Sequence, residues 1–252
     1  MPHTPVHPSP ADRPVVLFLP AHNEEASVAE VLGRVPACAG GRAVVTLVID
    51  DGSTDGTAAR ARAAGAIVVS LGRNRGLGAA VRRGLAEGVA RRAAAVAFCD
   101  ADGEYAPEEL EHLVEPILGG RSDYVVGSRF TGTIDRMLLR RRVGNRVLTG
   151  VLARLAQRPI TDGQSGYRAL SPAAAAAAAV AHDFNYAQVL TLDLLAKGFR
   201  YSEVPISYRF REHGSSFVRL APYLRHVVPT VWRQVKAGAP PVLAPTERVV
   251  PA

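Results

Sequence analysis

The sequence predicts an α/β domain in which a mostly parallel, twisted sheet is flanked by helices. Short apolar segments alternate with segments of helical periodicity along the first half of the chain, a pattern typical of parallel sheets. The strand segments are apolar throughout, which indicates that helices cover both faces of the sheet. The chain has 252 residues, 48% hydrophobic and 21% charged, so it can bury such a core without disulfides or structural metals.

Strands in the first half are predicted where β-branched and apolar residues cluster between turn formers. They are Val15–Leu19, Val44–Ile49, Ile67–Leu71, Ala94–Cys99 and Tyr124–Gly127. Apolar residues at helical spacing predict the intervening helices. These are Ala26–Val35, Asp55–Ala64, Leu77–Val89 and a helix that begins near Pro107, a residue type suited to a first helical turn.

The second half of the sequence is less regular. The predicted elements are a helix over Arg140–Ala156, an irregular or extended segment over Thr161–Leu170, helices over Pro172–Ala181 and Tyr186–Lys197, a strand over Tyr201–Phe210 and a helix over Val218–Lys236. We therefore expect one domain over residues 14–217, preceded by a disordered segment over 1–13. A basic amphipathic helical segment over 218–237 and a Pro-rich, disordered tail over 238–252 would follow it.

Polar residues follow each predicted strand of the first half. They are Asn23 and Glu24, Asp50 and Asp51, Asn74, Asp100 and Asp102, and Ser128 and Arg129. Ligands of open parallel sheets bind beyond the carboxyl ends of the strands. The sequence therefore predicts a ligand site built from these residues.

The segment Asp100-Ala101-Asp102-Gly103-Glu104 carries three carboxylates at alternate positions directly after a strand. Such hard oxygen ligands suit Mg²⁺ or Mn²⁺, which can also take phosphate oxygens of a substrate. The alternative is an acidic loop that caps the next helix. Its place among other polar strand ends favours the metal site, with Asp100, Asp102 and Glu104 as ligands.

The segment Asp50–Thr57 begins with two acids at a strand end. These carboxylates can accept hydrogen bonds from a nucleotide base or a ribose hydroxyl. The alternative is that Ser53, Thr54 or Asp55 caps the following helix. Both interpretations can hold at once, with the later residues capping and the earlier ones binding.

Several classes of protein are disfavoured by the absence of their motifs. There is no G-x-G-x-x-G after the first strand, no Walker A loop and no G-x-S-x-G elbow, which argues against dinucleotide enzymes, P-loop NTPases and serine hydrolases of that type. Two cysteines exclude a disulfide scaffold. The net charge of +7 suits an anionic partner, but 6% aromatic residues disfavour a single-strand nucleic-acid platform, and we expect no nucleic acid.

The motifs taken together resemble the family 2 glycosyltransferases of GT-A fold. They are Pro20-Ala21-x-Asn23-Glu24, Asp50-Asp51-Gly52-Ser53-x-Asp55-x-Thr57, Asn74-x-Gly76, Asp100-x-Asp102 and Gly127-Ser128-Arg129. Two later segments, Asp162–Arg168 and Arg211–Ser216, are similar to the dolichol- and polyprenyl-phosphate mannosyl- and glucosyltransferase branch. The resemblance runs from about Val15 to Phe217. Its motif around Gly214 departs from that branch, because Phe217 stands where a lysine is usual.

The resemblance implies a role for each matching residue. The nucleotide sugar, a GDP- or UDP-hexose, would be held by Pro20, Ala21, Asn23, Glu24, Asp50 or Asp51, Asn74, Gly76, Asp100 and Ala101. Asp100, Asp102 and Glu104 would bind Mg²⁺ or Mn²⁺. Donor and acceptor phosphates would be surrounded by Arg129, Ser165, Arg168, Arg211 and Ser215, and Asp102, Arg129, Arg168 and Arg211 would be catalytic.

The expected enzyme is a metal-dependent, inverting hexosyltransferase that acts on polyprenyl phosphate. Two basic segments, Arg136–Arg146 and Val218–Lys236, combine arginines with apolar residues and fit helices on an anionic membrane. The alternative is that their apolar faces pack on the domain. We expect a cytoplasmic enzyme, peripheral on the inner membrane face, with a membrane-protein partner left open. One alternative is a soluble small-molecule or glycan acceptor with the same donor. Another is a non-catalytic protein that binds a nucleotide sugar or a nucleic acid, supported only by the net charge of +7.

Overall fold

The computed structural model describes residues 12–180 and 186–210. The predicted segments 218–237 and 238–252, and nearly all of 1–13, lie outside these residues. The strands are β1 Val15–Ala21, β2 Cys38–Ala39, β3 Arg42–Asp50, β4 Ile67–Ser70, β5 Ala95–Phe98, β6 Tyr124–Ile134, β7 Arg168–Leu170 and β8 Tyr201–Tyr208. The α-helices are α1 Val28–Gly33, α2 Thr57–Ala63, α3 Leu77–Ala90, α4 Leu110–Leu118, α5 Leu139–Ala156, α6 Pro172–Ala177 and α7 Ala187–Ala196. A 3₁₀ turn over Pro107–Glu109 leads into α4.

The strands form one eight-stranded sheet in the order β2-β3-β1-β5-β7-β6-β8, with β4 paired to β3. Pairings β1–β3, β1–β5, β3–β4 and β6–β8 are parallel. The strand β7 is antiparallel to both β5 and β6, and β2 forms an antiparallel hairpin with β3. The predicted mostly parallel sheet is therefore confirmed. Strand β2 was not predicted, and β7 lies in the segment Thr161–Leu170 that was predicted only as irregular or extended, because two or three residues carry too little pattern.

Helices cover both faces of the sheet, as the apolar strands predicted. On one face, Phe18 and Val96 pack against α3. The approach is so close that a Cβ atom on Gly84 of α3 would lie 2.3 Å from the Phe18 ring. On the other face, α1 and α4 pack on Leu17 and Leu19 of β1. Burial of β1 on both sides explains why Val15–Ala21 carries no polar side chain.

The helices begin and end close to their predicted positions, with one marked difference. The alanine-rich helix α6 is initiated by Ser171, whose Oγ accepts a hydrogen bond from Ala174 N at 3.2 Å, and by Pro172 in its first turn. It ends at Ala177, four residues before the predicted end at Ala181. Helix propensity alone does not set this end, since Ala178 and Ala179 are also alanines.

Candidate active site at the carboxyl ends of the strands

The loops after β1 and β3 are joined into one unit. The parallel register pairs Ala21 with Asp50, so both chains leave the sheet side by side. Asn23, which has a positive φ of 57°, donates from its backbone N to Ser53 Oγ at 3.0 Å and accepts from Thr54 N at 2.8 Å. Glu24 N donates to Thr57 Oγ1 at 2.8 Å. The residues predicted to bind the nucleotide from these two loops are thus held together.

Glu25 adds a charged clamp to this pair of loops. Its carboxylate accepts from Gly56 N and from Arg60 Nε, both at 3.0 Å. The backbone hydrogen bond from Gly56, followed by that from Arg60, lowers the pKa of Glu25 below its ordinary value. Asp55 lies in the same network, and its Oδ1 accepts from Thr57 N at 3.0 Å. Burial raises the pKa of Asp55, but hydrogen bonds from Thr57 outweigh that effect and lower it.

None of the three predicted capping residues, Ser53, Thr54 and Asp55, occupies the N-cap position of α2. That position belongs to Gly56, and Asp55 instead contacts the first residue of the helix.

Asp50 and Asp51 are buried, with 5% and 4% exposure. Asp51 Oδ1 accepts from Arg75 N at 2.7 Å, and its Oδ2 accepts from Gly76 N at 2.8 Å. Asp50 accepts from Ser53 N at 3.0 Å and from Ser70 Oγ at 3.1 Å. These contacts bring the loop after β4, with Asn74 and Gly76, against the loop after β3. Both acids therefore shape the predicted nucleotide site through the backbone they hold.

Asp100 and Asp102 lie on the loop that follows β5, beside β1 in the sheet. Both are partly exposed, between buried Cys99 and buried Tyr105. Ala101 is buried, and its carbonyl accepts from Ser27 Oγ at 2.9 Å, which ties this loop to the start of α1. The geometry thus places the two aspartates next to the loop after β1, where Pro20 and Ala21 end the strand.

Glu104 does not join a three-carboxylate metal set with these aspartates. Its Oε1 accepts from Arg141 Nη1 of α5 at 3.0 Å, and the residue is 8% exposed. Among residues 12–180 and 186–210, no three His, Cys, Asp or Glu side chains form a group that can hold a metal ion. The expectation that Glu104 is a third ligand is corrected by this ion pair with Arg141.

The remaining aspartate pair still fits a divalent cation. Mg²⁺ is usually held by one or two carboxylates together with substrate phosphates and water, not by a complete protein cage. Asp100 and Asp102 are two such hard ligands at a partly exposed strand end.

The loop over residues 162–166 closes the site on the β6 side. Gly166 N donates to Tyr105 Oη at 2.7 Å, and a Cβ atom on Gly166 would lie 2.4 Å from Asp100 Oδ2. Burial raises the pKa of Tyr105 well above its ordinary value, so this phenol stays neutral. Any side chain at Gly166 would displace Asp100, which explains the glycine in this motif.

Arg129 forms a buried, two-pronged ion pair with Asp162. Its Nε lies 2.6 Å from Oδ2 and its Nη2 lies 2.9 Å from Oδ1. Arg129 is 5% exposed and Asp162 is fully buried. Burial lowers the pKa of Arg129, but interactions with Tyr105 and Asp162 raise it overall, so the guanidinium stays charged. Its charge is matched by a protein carboxylate at the base of the site.

Arg168 does not line the site. It is fully buried, and its guanidinium donates to the carbonyls of Ser165 at 2.8 Å, Gly163 at 3.1 Å and Ala187 at 2.8 Å. It also contacts the hydroxyl of Tyr124. The expectation that Arg168 contacts phosphate is corrected: the chain's own carbonyls take its donors, and it shapes the loop over 162–166.

Ser165 is likewise fully buried, and its Oγ accepts from Tyr167 N at 3.3 Å. Its predicted phosphate contact is corrected for the same reason. Arg211 and Ser215, the other predicted phosphate residues, lie outside the described residues.

Two acids that hold this region were not assigned roles from the sequence. Asp162 stood in a recognised motif, and its spacing from Arg129 gave no sign of the pairing. Glu203 of β8 accepts from Thr161 N at 2.9 Å and Asp162 N at 3.0 Å. Its place within a predicted strand was the available signal, because a lone acid in a strand packed on a core usually has a specific partner.

The structure as a whole defines an α/β domain with a polar ligand site at the carboxyl edge of its sheet. The chain belongs to glycosyl transferase family 2, whose family model matches residues 16–176. The fold is GT-A, and the protein is a nucleotide-sugar-dependent glycosyltransferase.

Two relatives act on lipid phosphates according to their names. The polyprenol monophosphomannose synthase of Mycolicibacterium smegmatis is 33% identical over 220 residues, which cover 82% of this chain and 81% of the synthase. The UDP-N-acetylglucosamine–dolichyl-phosphate N-acetylglucosaminyltransferase of Methanococcus voltae is 29% identical over 183 residues, covering 65% of this chain and 72% of the relative.

A solved structure extends the likeness to a different acceptor. Glucosyl-3-phosphoglycerate synthase from Mycobacterium tuberculosis, bound to Mn²⁺, UDP and glucosyl-3-phosphoglycerate, matches with a TM-score of 0.73 and 26% identity. The match covers 94% of this chain and 87% of the synthase. A further structure of the same synthase contains Mg²⁺ with UDP. Within the described part of this chain, no helix is both long and apolar enough to cross a membrane.

Proposed function

We propose that this enzyme transfers a hexose from a UDP- or GDP-sugar to polyprenyl phosphate, with Mg²⁺ or Mn²⁺, at the cytoplasmic face of the membrane. The observation that carries the proposal is the position of Asp100 and Asp102. They follow β5, where the loops after β1, β3 and β4 also gather. This arrangement suits a bound nucleotide diphosphate beside a pair of metal-ligating carboxylates. Two relatives whose names specify a polyprenyl- or dolichyl-phosphate acceptor support the choice of acceptor.

Each loop has a separate part in the proposed reaction. Pro20 and Ala21 with Asp50, Asp51 and Asn74 form the floor for the base and ribose, and Asp100 and Asp102 hold the cation. A divalent cation there neutralises the charge that develops on the departing diphosphate. The acceptor oxygen forms a bond to the anomeric carbon as the bond to the diphosphate breaks, which inverts that centre and releases the nucleoside diphosphate.

Arg129 and Asp162 support the reaction from below the loop over 162–166. Because their charges are paired, we assign Arg129 the role of keeping Asp100 and the acceptor region in place. We also propose that the guanidinium N–H groups of Arg129 that do not bind Asp162 donate to the acceptor phosphate. Arg211 and Ser215 complete the proposed phosphate site.

A second candidate function is transfer to a soluble, phosphate-bearing acceptor. It is favoured by the match to a synthase whose product is glucosyl-3-phosphoglycerate. Both acceptor classes carry a phosphate. A panel containing polyprenyl phosphate and 3-phosphoglycerate, with products followed separately in the organic and aqueous phases, distinguishes them.

The test of the metal-dependent mechanism is Asp102→Asn. The variant keeps the shape of the side chain and removes one ligand charge, so turnover should fall at least about a hundredfold, or roughly 2.7 kcal/mol of transition-state stabilisation. Release of nucleoside diphosphate and sugar transfer should fall together. Chelator should reproduce the loss in the native enzyme, and added Mn²⁺ should reverse it.

The matched control is Asp12→Asn. Asp12 is an exposed acid that precedes β1, at the amino ends of the parallel strands and so away from the site. Its turnover should equal that of the native enzyme. Full turnover in chelator, or equal turnover of Asp102→Asn and Asp12→Asn, would refute the proposed role of the aspartates.

A further inference from the structure

Helix α5 carries a row of exposed apolar side chains along its outer face. They recur at every fourth residue, and their exposures are 75% for Leu139, 53% for Val143, 60% for Val147, 53% for Val151 and 36% for Leu155. We call this row the α5 stripe. A helix of 18 residues is about 27 Å long, so the stripe is far larger than the isolated apolar residues found on ordinary surfaces.

The charges around the stripe have one sign. Helix α5 contains Arg140, Arg141, Arg142, Arg146 and Arg154 and no acidic residue. Arg141 points inward to Glu104, whereas the other four are exposed. Exposed apolar side chains next to arginines, on a helix without acids, form a surface that attracts anionic lipid.

The inner face of α5 is fixed to the site. Thr149 Oγ1 accepts from Gly163 N at 3.0 Å, and Leu148 O accepts from Gln188 Nε2 at 3.3 Å. Arg141 pairs with Glu104, two residues beyond Asp102. Because these contacts hold one side of the helix, the stripe faces away from the domain.

Charge decides which partner covers the stripe. The chain beyond residue 210 does not complement the arginines of α5 in charge, because residues 211–252 contain six Lys or Arg residues and only two acidic ones. A second copy packed stripe to stripe would bring the same arginines together, and like charges repel. The complementary partner is apolar inside and negatively charged at its surface.

We propose that the α5 stripe docks the enzyme on an anionic lipid surface. The valines and leucines enter the interfacial layer while Arg140, Arg142, Arg146 and Arg154 contact lipid phosphates. The docking follows from the helix surface itself, whereas its consequence rests on the proposed function: a polyprenyl phosphate in that membrane would present its headgroup beside the loops over 100–104 and 162–166.

The experiment is vesicle flotation of the full chain without sugar nucleotide or metal. Native protein should float with vesicles of equal parts phosphatidylglycerol and phosphatidylcholine, should not float with phosphatidylcholine alone, and should detach in high salt. The double variant Val147→Gln/Val151→Gln should partition at least about tenfold more weakly. Arg154→Gln should weaken partitioning about fivefold, because one arginine near an anionic surface contributes about 1 kcal/mol.

The matched controls are Val89→Gln, a 37% exposed valine of α3, and Arg62→Gln, an exposed arginine of α2. Both should float like the native protein, and circular dichroism should show that all variants are folded. Equal flotation of the α5 variants and these controls would overturn the proposal. A dimer that the valine variant dissociates, with flotation unchanged, would also overturn it and would assign the stripe to a second copy.

Docking and catalysis fail separately in this design. Sugar transfer to a short-chain, water-soluble prenyl phosphate should be the same for native protein and Val147→Gln/Val151→Gln. Flotation without any transfer by the native protein would leave the docking in place and refute the proposed function. Transfer to the short-chain acceptor by a native protein that never floats would refute the docking and leave the proposed function in place.

Discussion

Two arginines from neighbouring motifs have different environments. Arg129 is paired with a buried carboxylate, Asp162, whereas Arg168 is surrounded by carbonyl groups and aromatic rings. A buried guanidinium is tolerated where its donors are satisfied and the dipoles around it point the right way. Both side chains therefore hold the loop over 162–166: Arg129 through an ion pair with Asp162, and Arg168 through hydrogen bonds to the carbonyls of Gly163 and Ser165.

Arg168→Lys should separate a structural role from phosphate binding. Lysine keeps the charge, but its ammonium cannot reproduce the planar fork that reaches the carbonyls of Gly163, Ser165 and Ala187. We expect the free energy of unfolding to fall by about 3 kcal/mol, since buried carbonyls lose their donors. Urea denaturation measures this effect, with Arg62→Lys on the surface of α2 as a control that stays within about 0.5 kcal/mol. Unchanged stability together with a raised KM for the acceptor would restore the phosphate-binding interpretation.

Sequence motifs indicated which residues cluster at the site, but they did not show what each side chain contacts. Asp51 was expected at the nucleotide, and its oxygens accept from Arg75 N and Gly76 N, so the side chain contacts the protein backbone. Its contact with a nucleotide stays a prediction. Arg168 follows Ser165 in the same motif and points into the core. A motif identifies the residues that a site needs. Whether their side chains face the ligand or the protein interior depends on burial, and burial depends on the whole fold.

At the scale of elements, the loops after β1 and β3 behave as one clamp. Glu25, Asp55 and Thr57 connect them by accepting hydrogen bonds from backbone N–H groups of the opposite loop. A network of this kind fixes the backbone on which a nucleotide base would rest. Its carboxylates must be ionised to act as acceptors from both Arg60 and the backbone.

Acid should loosen this clamp. The pKa of Glu25 is lowered in the folded protein, so its contribution to stability is fully present above its ordinary value of 4.5 and is lost as the pH falls through the lower, folded value. We expect Glu25→Gln to be less stable than the native protein at pH 7, and this gap should shrink at about pH 3 as the carboxylate becomes protonated. Urea denaturation at the two pH values measures the gap.

For the matched control Glu30→Gln, an exposed residue of α1, we expect little change in stability at pH 7. A Glu25→Gln gap that stays constant with pH would contradict the clamp.

Elements with local patterns were predicted well, and elements that depend on distant pairing were not. Strand β1 and helix α3 begin at the predicted residues, because burial on both faces and helical spacing appear in the local sequence. Strand β6 was expected to end at Gly127 but continues to Ile134. Its extension contains Ser128, Arg129 and Thr131 and is specified by pairing with β8. The pairing is interrupted after Ser128 and continues with Thr133 opposite Ser207. No local pattern in polar residues signals such a pairing.

For the whole molecule, the chemistry of the acceptor decides whether a general base is needed. A phosphate monoester has a second pKa of about 6 and is largely dianionic at neutral pH. A hydroxyl acceptor would require a side chain to take its proton. The proposed acceptor makes a general base unnecessary. This agrees with the buried side chains beneath the site, which are the ion-paired Arg129 and the neutral Tyr105.

The rate of transfer to polyprenyl phosphate should rise with pH as the acceptor loses its second proton and should level off above about pH 7. The control for a protein group as the source of this profile is His22, because its Nδ1 lies 2.9 Å from Asp51 O beside the loops after β1 and β3. The measurement is kcat/KM against pH for the native enzyme and His22→Gln, each with the phosphate acceptor and with a phosphonate analogue whose second ionisation occurs at higher pH. We expect His22→Gln to keep the profile and the phosphonate to move its midpoint upward in both proteins. The contradicting result is a midpoint that is the same with both acceptors and is lost in His22→Gln. It would mean that a protein group takes the proton, and the acceptor would then be a hydroxyl of a soluble molecule or glycan.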